Sequence, residues 1–114
     1  MNFNIRTISS FDKKLKKLAK KYRSIKNDLI ALAADLKTNP YQGADLGNGL
    51  RKVRMAISDK KKGKSHGARV ITYTALVSVE EGTIVLLTIY DKADRDSIDS
   101  QEINELQTEL KEEE

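Results

Sequence analysis

Three observations on this 114-residue chain predict an α+β fold built on a small antiparallel sheet. Apolar residues recur at three- and four-residue spacing across residues 11–36, three apolar stretches separated by turn residues follow, and a capped stripe of Ile103, Leu106 and Leu110 comes after them. The first has the period of an amphipathic helix, the second the length and punctuation of strands, and the third suits one short helix. The predicted architecture is an N-terminal strand plus a three-stranded meander, packed with an N-terminal helix pair and a short C-terminal helix. It reads as one domain over residues 1–114, long enough to bury a modest core.

Phe3, Ile5 and Ile8 mark the opening strand, with Phe3 and Ile5 on one face by the strand period of two. Ser9 or Ser10 then offers an N-cap, and Asp12 places a negative charge in the first turn, where it suits the helix dipole. The helical stripe comprises Phe11, Leu15, Leu18, Tyr22, Ile25, Leu29, Leu32 and Leu36. Residues 23–28 are weaker helix formers and include a possible cap at Ser24, so two antiparallel helices are predicted in place of one rod. Asn39 precedes Pro40 and avoids the α region, and "NPYQGADLGNG" reads as a connecting loop. The strand candidates span residues 50–57, 68–77 and 83–90. Glu80-Glu81-Gly82 makes a tight connection between the last two, and a longer basic loop over 58–67 joins the first two. Asp99-Ser100-Gln101-Glu102 resembles a capping box for the final helix. The acidic run 112–114 opposes the dipole at the other end of that helix, so fraying is expected there.

With no cysteine the chain has neither disulfides nor thiolate metal sites, and one histidine, His66, argues against zinc. No metal or cofactor is expected. Neither a membrane-length apolar stretch nor a signal-peptide core is present, which predicts a cytoplasmic protein. The net charge of +4 conceals a strong segregation. Residues 1–70 hold 18 Lys and Arg against 5 Asp and Glu, a balance of +13, whereas residues 71–114 hold 3 against 12, a balance of −9. Such a basic segment attracts polyanions through phosphate neutralisation, and nucleic acid is the leading partner class. The plainer reading, that Lys13, Lys14, Lys16, Lys17, Lys20 and Lys21 only solvate a helix face, stays open.

The densest cations lie in "GLRKVRMAISDKKKGKSHGARVITY". On the 50–57 strand Val53, Met55 and Ile57 share one face, and Lys52, Arg54 and Ala56 the other. On the 83–90 strand alternation puts Ile84, Leu86, Thr88, Tyr90 and, if the strand persists, Lys92 on one face, opposite Val85, Leu87 and Ile89. A meander then gathers Arg54, Arg69, Tyr90 and Lys92 at one end of the sheet, beneath the loop bearing Lys64, Ser65 and His66. Cleaving RNA without a metal needs a base for the ribose 2′-hydroxyl, cations for the charge growing on the phosphorus oxygens, and an acid for the leaving oxygen. Arginine suits bidentate contact with phosphate, lysines crowded by cations can exchange protons, and Tyr90 can stack on a base or donate a proton. His66, between glycines, reads first as a solvated loop residue. Lys60, Lys61 and Lys62 read as a solvated loop or as general phosphate contacts, and Gly63 and Gly67 as turn residues. The Gly-Lys-Ser triplet lacks the first glycine and the parallel βαβ setting of a phosphate-binding P-loop.

The combination "GNGLRKVRM", "GKSHGARVITY" and "LLTIYDKADRDSI" before a terminal helix resembles the RelE/HigB family of toxins from type II toxin–antitoxin pairs, within the RelE/ParE superfamily, over residues 11–110. The resemblance implies the RelE-like microbial RNase fold. It also implies an endoribonuclease, an mRNA interferase, that enters the A site of the 70S ribosome, cuts messenger RNA during translation, and is silenced by a cognate antitoxin. By motif, Lys52 and Arg54 match the basic strand positions, Lys64 and Arg69 the Gly-Lys-Ser-x-Gly-Ala-Arg cations, and Tyr90 and Lys92 the strand end. His66 stands where this subgroup often has a second glycine, a departure from the pattern. The candidate catalytic residues are thus Arg54, Lys64, Arg69, Tyr90 and Lys92; the candidate RNA contacts are Lys52, Lys60, Lys61, Lys62 and His66. Two other classes stay open behind this one: a ParE-like inhibitor of DNA gyrase, and an RNA- or ribosome-binding module without catalysis.

Overall fold

The computed structural model describes residues 1–113. The chain runs β1 (Asn2–Thr7), α1 (Ser9–Lys21), α2 (Ile25–Thr38), β2 (Ala44–Gly47), β3 (Leu50–Met55), β4 (Ala68–Leu76), β5 (Glu81–Asp91) and α3 (Ser100–Glu112), giving an α+β fold. The sheet order is β1-β5-β4-β3-β2. The meander β3-β4-β5 is antiparallel as expected, but β1 lies parallel to β5, with Asn2 opposite Glu81 and Thr7 opposite Leu86. The sheet is therefore mixed, because the period of two that marks a strand carries no information about its direction. A further correction concerns the connecting loop. Its residues Ala44–Gly47 form the edge strand β2, which pairs with β3 across a hairpin whose Gly47, Asn48 and Gly49 all have positive φ.

The helix pair breaks at residues 22–24, as the weaker helix formers there predict. One face of the sheet packs against it through Phe11, Ile25, Leu32 and Leu36, which meet Val53, Met55, Val70, Ile84, Leu86 and Ile89. The opposite face packs under α3, where Leu106 and Leu110 meet Leu50, Ile71, Val85, Leu87 and Tyr90. Burying a leucine or isoleucine side chain contributes about 1.5–3 kcal/mol, so these two layers supply the main driving force for the fold.

One irregularity re-aims a candidate residue. Ile71 faces Thr88 but Thr72 faces Leu86, so Leu87 is an extra residue in β5, a β-bulge. Simple alternation puts Tyr90 with Ile84 and Leu86; the bulge moves it to the α3 face with Val85 and Leu87.

The caps also differ from the serine reading. Ile8 is the N-cap of α1 and makes no side-chain cap bond. Instead α3 supplies carboxylates: Glu113 accepts from the Ser9 amide at 3.2 Å, and Glu109 accepts from the Ser10 amide at 2.9 Å and from the Ser10 hydroxyl. The end of α3 expected to fray is thus helical through Glu112, and Glu113 is engaged; Glu114 lies outside the described residues. Asp99 does cap α3, accepting from the Glu102 amide at 2.8 Å. Among the described residues, no helix is long and apolar enough to cross a membrane.

Candidate nucleic-acid interface

Pairing across three strands places Arg54, Arg69 and Tyr90 in one row, and the alternation of β3 sends Lys52 and Arg54 away from the buried Val53 and Met55. Lys52, Arg54 and Arg69, with Lys64 from the loop above, line a cleft of about 480 Å³ that also touches Gln42 and Gly43. No carboxylate among the described residues lines it.

Arg69 is only 5% exposed. Its guanidinium donates to the carbonyls of Lys64 (3.0 Å), Ala68 (3.1 Å) and Ser65 (3.3 Å), and no acidic group among the described residues pairs with it. A buried charge is costly without an opposite charge, and like charges directly across strands repel, yet Arg54 stands opposite Arg69. This arrangement is electrostatically unfavourable, with two cations paired across the strands at the mouth of the cleft.

The loop over 58–67 is fixed from below. It contains short 3-10 turns at Ser58–Lys60 and Lys64–His66, with Lys61 left-handed (φ 58°) and Gly63 extended at positive φ (72°). Asp28 accepts from the Ser58 amide at 2.9 Å and from the Ser58 hydroxyl, tying the loop to α2. At the other end, Gly67 lies so close to β3 that a Cβ there would collide with the Met55 carbonyl, so this glycine is required by close approach and not only by a turn.

The sequence places Lys60 in a solvated loop or against phosphate; the structure turns its side chain inward. Its Nζ donates to Asp91 Oδ1 at 2.5 Å and to the His66 carbonyl at 2.9 Å, leaving the side chain 14% exposed. Asp91, 1% exposed, also accepts from the Tyr22 hydroxyl at 2.6 Å and the Ala93 amide at 2.9 Å. Burial alone would raise the pKa of this carboxyl, but the hydrogen bonds from Lys60, Tyr22 and Ala93 outweigh it and hold the group below its ordinary range.

With that geometry in view, the family comparison is decisive. The model of the RelE toxin of the RelE/RelB toxin–antitoxin system matches residues 10–112. The chain belongs to the RelE toxin family. No curated protein matches it individually. As the toxin of a toxin–antitoxin pair it has an antitoxin partner, and its fold agrees with the RelE-like architecture.

In this toxin the ten candidate residues do not form one cluster. Arg54, Lys64, Arg69 and Lys52 share the cleft described above. Lys92 does not join them: β5 stops at Asp91, and Lys92 lines a separate cleft of about 640 Å³ with Tyr22, Lys60, Lys62 and His66. Lys61 and Lys62 are exposed, and His66 Nδ1 lies 3.0 Å from the Ser65 hydroxyl. Tyr90 lines a third cleft, of about 850 Å³, between α1 and α3. Its ring is covered by the Arg95 guanidinium, 4.5 Å from the centroid, and its buried hydroxyl has no hydrogen-bond partner among the described residues. Burial raises the Tyr90 pKa, only partly countered by Arg95 and Arg69, so this phenol keeps its proton firmly. Sequence reasoning missed Asp91, Tyr22, Asp28 and Arg95. Asp91 stood in view between Tyr90 and Lys92, but only its burial shows that it anchors the loop.

Proposed function

We propose that the toxin is a ribosome-dependent endoribonuclease that cleaves translated messenger RNA by attack of a ribose 2′-hydroxyl on the adjacent phosphorus, without a metal, and so inhibits translation. The observation that carries this reading is the buried Arg69 cation left without a carboxylate, opposite Arg54 and beside Lys52 and Lys64. A phosphodiester in this cleft supplies the missing negative charge, and the two guanidiniums offer forked donors to its non-bridging oxygens as charge grows there. Bond making to the 2′-oxygen releases one proton, and bond breaking at the 5′-oxygen consumes one. Lys52 and Lys64 are the cleft groups suited to take and return it. Tyr90 backs the row from the α3 side, its raised pKa suiting a supporting role over proton transfer.

The test is primer extension on a translated reporter messenger RNA after brief induction, comparing wild type, Arg54→Gln and a translation-blocked control. Arg54 is exposed, whereas Arg69 also holds the loop, so only the former separates chemistry from folding. New 5′ ends that require translation and fall at least about 100-fold in Arg54→Gln are expected. Cleavage without translation means a free ribonuclease; growth arrest with intact transcripts and lost plasmid supercoiling means a gyrase inhibitor.

A further inference from the structure

The loop over 58–67 separates two clefts that differ in their contents but share one property. The first holds Lys52, Arg54, Lys64 and Arg69; the second holds Lys62, His66 and Lys92, and no carboxylate among the described residues lines either. The acid behind the second cleft, Asp91, is already engaged by Lys60 and Tyr22, so the outward cations keep their field. The two clefts meet at a single 3-10 turn, with Lys64 lining one and His66 the other. Two residues of chain span at most about 7 Å, so a strand crossing the turn needs very few nucleotides.

The turn is clamped from both sides. Arg69 donates to the Lys64 and Ser65 carbonyls from the first cleft, and Lys60 donates to the His66 carbonyl from the second. The Lys92 amide donates to the Gly67 carbonyl at 3.0 Å, which fixes the base of the second cleft to the end of the turn. These bonds consume inward-facing donors and leave Lys62, Lys64 and His66 exposed.

We propose that the second cleft is a phosphate subsite for the same single-stranded RNA: Lys62, His66 and Lys92 hold a phosphodiester neighbouring the one in the first cleft, and the strand bends over the Lys64–His66 turn between them. This rests on the function proposed above and refines it, because it makes His66 and Lys92 residues of substrate binding and not of proton transfer. Removing them weakens binding of RNA long enough to span the turn and leaves shorter RNA unaffected.

The experiment is fluorescence anisotropy of labelled single-stranded RNA, from dinucleotide to octanucleotide, over a salt series. It compares wild type with Lys62→Gln/His66→Gln/Lys92→Gln, with Lys52→Gln/Arg54→Gln, and with a surface control, Lys13→Gln/Lys16→Gln/Lys20→Gln, each checked for folding by circular dichroism. Wild type should gain affinity stepwise once the RNA spans both clefts. The second-cleft variant should lose that step, about 10-fold or more, with the salt slope falling by about 1.4 for the two phosphate-facing lysines, while its dinucleotide affinity is unchanged. A step that survives, or a loss no larger than the control's, overturns the second subsite alone. RNA of every length binding no better to wild type than to Lys52→Gln/Arg54→Gln overturns the proposed cleavage site as well.

Discussion

Arg69 and Asp91 occupy adjacent positions across β4 and β5, and both are buried, but they face opposite sides of the sheet and are compensated in opposite ways. Asp91 has a lysine, a tyrosine hydroxyl and a backbone amide, a full set for a carboxylate. Arg69 has three carbonyls and a second arginine across from it. The first charge is settled within the chain and acts as structure. The second has no counter-charge among the described residues, and on the proposed function it is the phosphodiester that supplies one.

The largest expected effect follows from breaking the settled side. Asp91→Ala leaves the half-buried Lys60 without its carboxylate and should cost about 2–4 kcal/mol in urea unfolding. Adding Lys60→Met should restore part of that loss, since no charge is then left unpaired; a single-variant cost below about 1 kcal/mol would show that the network is not a strut. On the unsettled side, Arg54→Gln should cut messenger RNA cleavage about 100-fold while leaving stability unchanged or raising it by a few tenths of a kcal/mol, because it removes a cross-strand repulsion. Equal losses of stability and activity would erase the distinction. Between the two regions, Gly67→Ala forces a methyl against the Met55 carbonyl and should destabilise by about 1–3 kcal/mol, read as a lowered melting temperature.

The acid limb of the stability curve sharpens the same contrast. The Asp91 carboxyl titrates below its ordinary range in the folded state, so its contribution is complete above the unfolded aspartate pKa and is lost as the pH falls through the lower folded value. Unfolding free energies measured downward from about pH 4 should therefore decline more steeply for wild type than for Asp91→Asn. Glu102, held low chiefly by its bond from Arg95, adds to the wild-type slope with the same sign. The smallest effect belongs to the long-range cap: Glu109→Gln should cost about 0.5–1 kcal/mol, since an amide oxygen still accepts from Ser10 but the charge near the α1 dipole is gone.

Most of the architecture is legible in local patterns. The stripe from Phe11 to Leu36, its break near Ser24, the meander and the Asp99 cap all follow from spacing and turn chemistry within a few residues. What escaped depends on partners far along the chain. β2 is four exposed residues with no apolar alternation, and it forms because β3 offers an edge. Lys60 looks like its neighbours Lys61 and Lys62 until Asp91, 31 residues away, removes it from solvent. Tyr90 changes face through one bulged residue, Leu87, and Lys92 leaves the row because the strand ends one residue before it. The cation cleft was legible in its strand and loop members, Lys52, Arg54, Lys64 and Arg69, which lie where alternation and meander geometry bring them.

The parallel pairing of β1 with β5 has a kinetic meaning. Asn2 must wait for Glu81 to be synthesised before its strand has a partner, and α1 waits longer still for the carboxylates of Glu109 and Glu113. Contacts of such sequence separation form late and slowly. Closure of the sheet by β1 is thereby deferred until β5 has been made, and the N-terminus of α1 gains its carboxylate partners only once α3 exists.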